Sequence, residues 1–289
     1  MNNFKTAILL AALTGLLLAV GALFGGSSGM TIMFVISMLM NFVSYWYSDK
    51  IVLSMYGARE VTANDAADLV RLVAGLAQKA NLPMPKVYIM DTEVPNAFAT
   101  GRDPEHSAVA VTTGIMRALK SNELEGVLAH ELAHIKHRDT LISTVVAAVA
   151  GVITMIAHIA QWSAFFGFGR SNDDDGNGMS GIIEMVFLIV LAPLAAALIQ
   201  MGISRSREYL ADESGGKFSG NPLALAKALE KIEYFAKERV LPEATPATSH
   251  MFIINPFSGS RSLMMSLFST HPATALRIAR LEEQAQRVK

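Results

Sequence analysis

A chain of 289 residues is long enough to bury a full core, but 52% hydrophobic residues, 16 methionines and only 17% charged residues are too apolar for an ordinary soluble enzyme. A net charge of −1 offers no basic field to nucleic acid. The absence of cysteine excludes disulfides, thiolate metal ligands and a cysteine nucleophile together.

The apolar surplus is concentrated in blocks. Ala7 to Phe24 and Met30 to Tyr47 are each 18 residues without a charge, joined by the small-residue turn Gly25-Gly26-Ser27-Ser28-Gly29. Lys5 precedes the first block as it would in a signal peptide, but a second apolar block only five residues later argues for a transmembrane hairpin instead. From Thr62 the run Asp65, Leu69, Val70, Leu72, Val73, Leu76 and Ala77 has helical spacing and stops at Asn81-Leu82-Pro83. Lys86 to Met90 reads as a strand, and Val94–Thr100 with Ser107–Thr113 reads as a hairpin around Gly101-Arg102-Asp103-Pro104. A helix from about Ile115 comes next. The following helix is expected to start at a capping box, with Asn122 as cap and Glu125 reaching back.

That helix carries His130-Glu131-Leu132-Ala133-His134. On an α-helix the i and i+4 positions share a face, so both imidazoles can close on one metal ion while Glu131 stands beside it. This is the HExxH pattern of zinc hydrolases. Glu131 is too close in sequence to His130 to share its ligand direction and is assigned as the general base, taking a proton from water and passing it to the leaving amine. His137 and Arg138, just before an apolar run, read as membrane-surface anchors.

Leu141 to Phe166, with His158 and Gln161, and Ile182 to Met201, with Glu184 and Gln200, are further apolar blocks long enough to span. Ten Lys or Arg lie between Ser48 and Thr140 and twelve after Met201, whereas the connector 170–181 has one basic residue and three successive aspartates. The positive-inside rule then puts both large polar segments in the cytoplasm. The expected division is a hairpin at 1–47, a first catalytic part at 48–140, an apolar hairpin read as a membrane pair at 141–201 and a second catalytic part at 202–289.

A catalytic zinc site takes a third protein ligand and keeps one position open. The extended HExxHxxGxxH pattern is excluded, because position 137 is His and position 140 is Thr. Glu208 is the strongest candidate, with Asp212, Glu213, His250 and His271 as alternatives. Glu208 and Asp212 are again i and i+4, so Asp212 can accept the second N–H of a ligand histidine. The competing reading is a charged helix at a membrane exit, with Arg205 to Arg207 as anchors. The proline-bearing stretch Val240 to Phe257 reads as an exposed segment able to gate a site. His271, or Arg277 on the following helix, is a candidate for steadying the transition state; the plain alternative is a helix-start His-Pro with a surface Arg. Asn96 to Thr100 offers main-chain hydrogen bonds to an extended substrate, with Asn96 as a candidate contact.

The two N-terminal apolar segments, the HExxH helix leading into the third block, and Arg207-Glu208-Tyr209-Leu210-Ala211-Asp212 after the fourth together resemble the bacterial HtpX membrane metalloproteases, relatives of the CAAX prenyl protease. The likeness extends to Pro95-Asn96-Ala97-Phe98-Ala99-Thr100-Gly101 and to Ser269-Thr270-His271-Pro272 followed by Arg277. The order of helix, small sheet and helices is that of an α+β domain interrupted by apolar blocks, and the resemblance implies that it is a mostly helical, zincin-like (gluzincin) catalytic domain with transmembrane helices. It implies Glu208 as third ligand to one Zn2+ per subunit and a multi-pass protein of the bacterial inner membrane with its site facing the cytoplasm. The implied partners are the membrane and damaged or unfolded protein substrates, with no nucleic acid and with self-cleavage at exposed loops. The rival readings are a narrow-specificity processing protease, a protease cutting within the bilayer, and a non-enzymatic scaffold with a metal site. Charged residues on both sides of the motif and the intact Glu131 count against the last two.

Overall fold

Gly26 takes φ 53° and ψ −137°, a backbone setting closed to L side chains, and there the first helix, α1 (Asn2–Met55), breaks into two arms. The arms fold back on each other. Asn41 donates from Nδ2 to the Thr14 hydroxyl at 2.9 Å, and a Cβ added at Gly21 would stand 2.5 Å from the Gly29 carbonyl oxygen. The computed structural model from which this is seen describes residues 2–143, 145, 205–238, 253 and 272–287. Most of the third apolar block with His158, the acidic connector, the fourth block, His271 and the stretch 240–257 apart from Ile253 lie outside the described residues.

Among the described residues, Gly25–Tyr47 is the one helical stretch long and apolar enough to cross a bilayer, while the apolar part of the first arm, Thr6–Ala19, is shorter. The second arm is almost entirely uncovered, with Phe34, Val35, Leu39 and Phe42 standing open. It also does not stop at Tyr47. It continues as helix to Met55 and buries Val52 and Leu53 beneath the sheet.

The sheet is mixed, in the order β1-β2-β4-β3. β1 (Arg59–Val61) pairs antiparallel with β2 (Lys86–Met90), β2 runs parallel to β4 (Ser107–Thr112), and β4 pairs antiparallel with β3 (Ala97–Gly101). Side chains alternate between faces along a strand. Val87, Val109, Val111 and Ala97 therefore join Leu69, Val73 and Leu76 of α2 (Ala67–Ala80) in the main core. On the other face Met90, Phe98, Ala108 and Ala110 close on Val52 and Leu53. The expected hairpin is present, with a 3-10 turn at Pro104–His106 between its strands. The three-residue β1 is an addition to the sequence reading.

After the short α3 (Thr113–Ala118), α4 (Ser121–Lys136) runs through the core, surrounded by α2, α5 (Arg205–Ser219) and α6 (Pro222–Glu238), with α7 (Thr274–Arg287) against the last two. Val127, Leu128, Ala129, Leu132 and Ala133 are fully covered. Two glycines set the helix spacing. A Cβ on Gly126 would meet the Leu225 main chain at 2.7 Å, and one on Gly215 would meet the His130 main-chain nitrogen at 2.8 Å.

The cap of α4 differs from expectation. Lys120, not Asn122, is the N-cap, and Glu123, not Glu125, reaches back, accepting the Lys120 N–H at 2.8 Å. The helix starts earlier because Glu123 also meets Lys231 Nζ of α6 at 2.6 Å, and tertiary pairing overrides the local signal. Burial works to raise the Glu123 pKa, but Lys231 and the Lys120 amide outweigh it and hold the carboxyl below its ordinary value. A carboxylate depressed on folding adds stability above its unfolded pKa, and this is lost as pH falls through the folded one. Lys231→Met should therefore cost about 2 kcal/mol at neutral pH. Glu123→Gln should flatten the loss of stability below about pH 5. Urea unfolding in detergent across pH measures both, and a Lys231→Met protein as stable as its parent would remove the pair from the account.

Candidate metal centre

The central turn of α4 and the first turns of α5 bring three donors together. His130, His134 and Glu208 each offer an atom, all within 4.8 Å of one another. The two Nε2 atoms face each other at 3.2 Å, and Glu208 stands 3.7 Å from His130 Nε2 and 3.6 Å from His134 Nε2. The imidazole planes are perpendicular, with centroids 4.8 Å apart. His130 and Glu208 are buried.

Each histidine is held from behind. His130 Nδ1 lies 2.9 Å from Asp212 Oδ1. His134 Nδ1 lies 3.3 Å from Asp139 Oδ2. A carboxylate at Nδ1 fixes the tautomer with the proton there and leaves the Nε2 lone pair for a metal. Two such lone pairs aimed at one point beside a buried carboxylate are mutually repulsive unless a cation lies between them. The donor set therefore fits a metal of the borderline class that takes two imidazoles and a carboxylate.

Each carboxylate is backed by an arginine. Arg277, fully buried, donates to both oxygens of Asp212, Nε to Oδ2 at 2.8 Å and Nη2 to Oδ1 at 2.7 Å. Its Nη1 donates to the Ile253 carbonyl at 2.9 Å. On the other side Arg207 Nη1 lies 3.5 Å from Asp139 Oδ1. Burial alone would raise the Asp212 carboxyl, and the Arg277 charge and hydrogen bonds instead hold it far below the usual range. Burial would likewise push the His134 imidazole down, but Asp139, Glu208 and Glu131 raise it to about 9. The same carboxylates that favour a proton there favour a cation.

Asp139 was missed in the sequence. Five residues on from His134, a continuing helix would carry it about 140° round the axis. Instead α4 ends at Lys136, and Arg138 adopts the left-handed conformation with φ 57°. The Arg138 N–H returns to the Ile135 carbonyl and the Asp139 N–H to that of His134, a Schellman closure that swings Asp139 onto the ring. The metal helix therefore does not run straight into the third apolar block. His137, read as a membrane anchor, meets the Ser214 hydroxyl at 2.9 Å on α5.

Glu131 is buried beside the ligands, and its Oε2 accepts the Ala99 N–H of β3 at 2.9 Å. Arg277 is not the surface residue of the plainer reading: its guanidinium is engaged with Asp212 and Ile253, behind His130. Asn96 is buried at the start of β3, where its Oδ1 accepts the Ile253 N–H at 3.3 Å. His271 falls outside the described residues.

Asp139→Asn keeps the side chain's size while removing its charge, and is expected to lower metal affinity by about 10- to 100-fold with the fold retained. Competition with a fluorescent chelator, alongside far-UV circular dichroism, checks this; parental affinity would show that Asp139 does not orient His134.

Comparison with known proteins gives a consistent picture. The profile of Peptidase family M48 matches residues 63–285. A "Protease HtpX homolog" of Syntrophobacter fumaroxidans is 52% identical over 280 residues, covering 97% of this chain and 98% of that protein. One from Pyrococcus furiosus is 54% identical over 281 residues, covering 97% and 95%. In overall shape the chain is similar to the crystal structure of S. mikatae Ste24p, with a TM-score of 0.54 at 18% identity, covering 96% of this chain and 65% of that one.

Proposed function

This chain belongs to peptidase family M48, among the HtpX-type membrane metalloproteases, and we propose that it is a zinc endopeptidase cleaving damaged or misfolded membrane proteins at the cytoplasmic face of the bacterial inner membrane. The observation that carries the proposal is the convergence of both Nε2 atoms and Glu208 next to a second, differently partnered carboxylate, Glu131. His130, His134 and Glu208 would hold the ion. Zinc bound there supplies a Lewis acid for the scissile carbonyl and lowers the pKa of water at neutral pH.

The remaining work falls to the protein's own groups. Glu131 takes a proton from the attacking water and gives it to the leaving nitrogen. The peptide C–N bond breaks, the water oxygen stays on the carbonyl carbon, and the amine leaves protonated. Ala99 fixes the Glu131 carboxylate through its N–H. Asp212 and Asp139 keep the imidazoles in the ligating tautomer, Arg277 holds the Asp212 carboxyl far below its usual range, and Arg207 stands beside Asp139.

β3 supports the binding of an extended substrate. It is an outer strand of the sheet, and its Asn96 carbonyl accepts from Thr112 of β4. In an antiparallel ladder alternate residues face the partner, so Phe98 and Thr100 face β4 while Ala97, Ala99 and Gly101 face outward, beside Glu131. The informative position for a proline is thus Ala99, since one at Phe98 would also break the sheet.

The two-plus-two membrane spans, the cytoplasmic orientation and self-cleavage belong to the same proposal. The spans and the orientation are supported by the uncovered second arm of α1 and by the basic residues flanking each apolar block.

Glu131→Gln should retain stoichiometric zinc and lose cleavage of casein by more than about 100-fold, the usual scale for a general base. Full activity in that variant, measured after chelation and zinc return, would sink the mechanism. Ala99→Pro should keep zinc and lose about tenfold or more in kcat/KM, the worth of one hydrogen bond; unchanged kinetics would remove β3 from substrate binding.

A further inference from the structure

The second arm of α1 ends its apolar stretch at Tyr47, and there it carries Tyr45, Trp46 and Tyr47, all exposed. Aromatic side chains of this kind gather at the boundary between hydrocarbon and headgroups. Two cations sit on them. Lys50 Nζ lies 5.3 Å from the Tyr47 ring centroid, and the Arg102 guanidinium carbon lies 4.6 Å from that of Trp46. Lys50 belongs to the same helix, but Arg102 comes from the turn that immediately follows β3. One end of the outer strand is thereby fastened at the level of the lipid headgroups.

On the same strand stands Ala99, whose N–H holds Glu131. Arg102 lies only three positions after Ala99. Three extended residues cover ~10 Å, and with the Arg102 side chain the path from the Trp46 ring to the Glu131 carboxylate is on the order of 20 Å. An extended polypeptide leaving the bilayer beside Trp46 covers that distance in about six residues.

Resting on the reading of Glu131 as the base and β3 as the substrate edge, we propose that Trp46 and Arg102 act as a ruler: they position β3 so that membrane-anchored chains are cut within about ten residues of their membrane boundary. The preferred substrate class is the juxtamembrane segment of a membrane-spanning chain. Bonds farther along a cytosolic tail are cut less often. Residues of the ruler do not touch the reacting atoms, so they set where a chain is cut and not how fast a free peptide is hydrolysed.

The test uses the full chain with zinc in liposomes. The substrate is a single-span protein whose tail consists of four identical copies of a peptide first shown to be cut in solution, and cut sites are mapped by mass spectrometry. The expected result is at least tenfold more cleavage in the first copy than in the third or fourth. In the Trp46→Ala/Arg102→Ala double variant that bias should fall at least threefold while free-peptide cleavage is unchanged. Even cutting of all four copies by the wild type, or an unaltered bias in an active double variant, overturns the ruler and leaves the protease reading intact. If the double variant loses free-peptide cleavage, Arg102→Gln alone takes its place under the same criteria. Failure of the wild type to cut the free peptide, or cutting of it by Glu131→Gln, overturns the underlying reading and the ruler with it.

Discussion

A carboxylate in a dry interior costs several kcal/mol unless its charge is met with good geometry, and Asp212, buried on α5, is met by a fully buried arginine. Arg277 reaches both of its oxygens, and one of those oxygens also takes His130 Nδ1. The pair therefore fixes a ring orientation as well as joining α7 to α5. Asp139 with Arg207 repeats the arrangement behind His134, in a more exposed setting. The histidines inherit their precision from carboxylates at their Nδ1 atoms and from the arginines paired with those carboxylates.

Such an arrangement requires α4 and α5 to lie closer than side chains usually allow. Gly215 provides the approach at His130, and Gly126 does the same against α6. The sheet then supports α4 from one side, and the C-terminal end of α1 supports the sheet from the other, through Val52, Leu53 and Phe98. The membrane arm and the metal helix thus press on opposite faces of the same four strands. Tyr56 stacking on Phe98 at 5.5 Å ties the arm to the strand that holds Glu131.

The chemistry-bearing spacings were legible because helices convert sequence intervals into geometry. His130 with His134, and Glu208 with Asp212, are pairs at i and i+4, and both landed as that interval requires. The parallel β2–β4 pairing and the exact cap of α4 were not legible, because they are settled by contacts far apart in sequence, such as Glu123 with Lys231. Asp139 was hidden by a left-handed Arg138, a conformation that is usually signalled by glycine. Arg277 did leave a trace. In α7 the covered positions are Thr274, Arg277 and Leu281, so this arginine occupies the apolar stripe of an otherwise charged helix. A charge in such a stripe calls for a buried partner, and Asp212 is that partner.

The bond from Ala99 to Glu131 also bears on how the folded protein avoids its own kind. An outer strand with outward-facing amides is a template for unwanted strand pairing between molecules, and natural proteins guard such edges with charge. Here the guard is Glu131, the carboxylate proposed as the general base. A passing chain must displace or share Glu131 before it can register on β3, so casual β-stacking between neighbouring copies meets a carboxyl group already bonded to the edge, while a chain that succeeds in docking is already against the proposed base. On the proposed function, protection from aggregation and admission of substrate are in this way governed by one side chain.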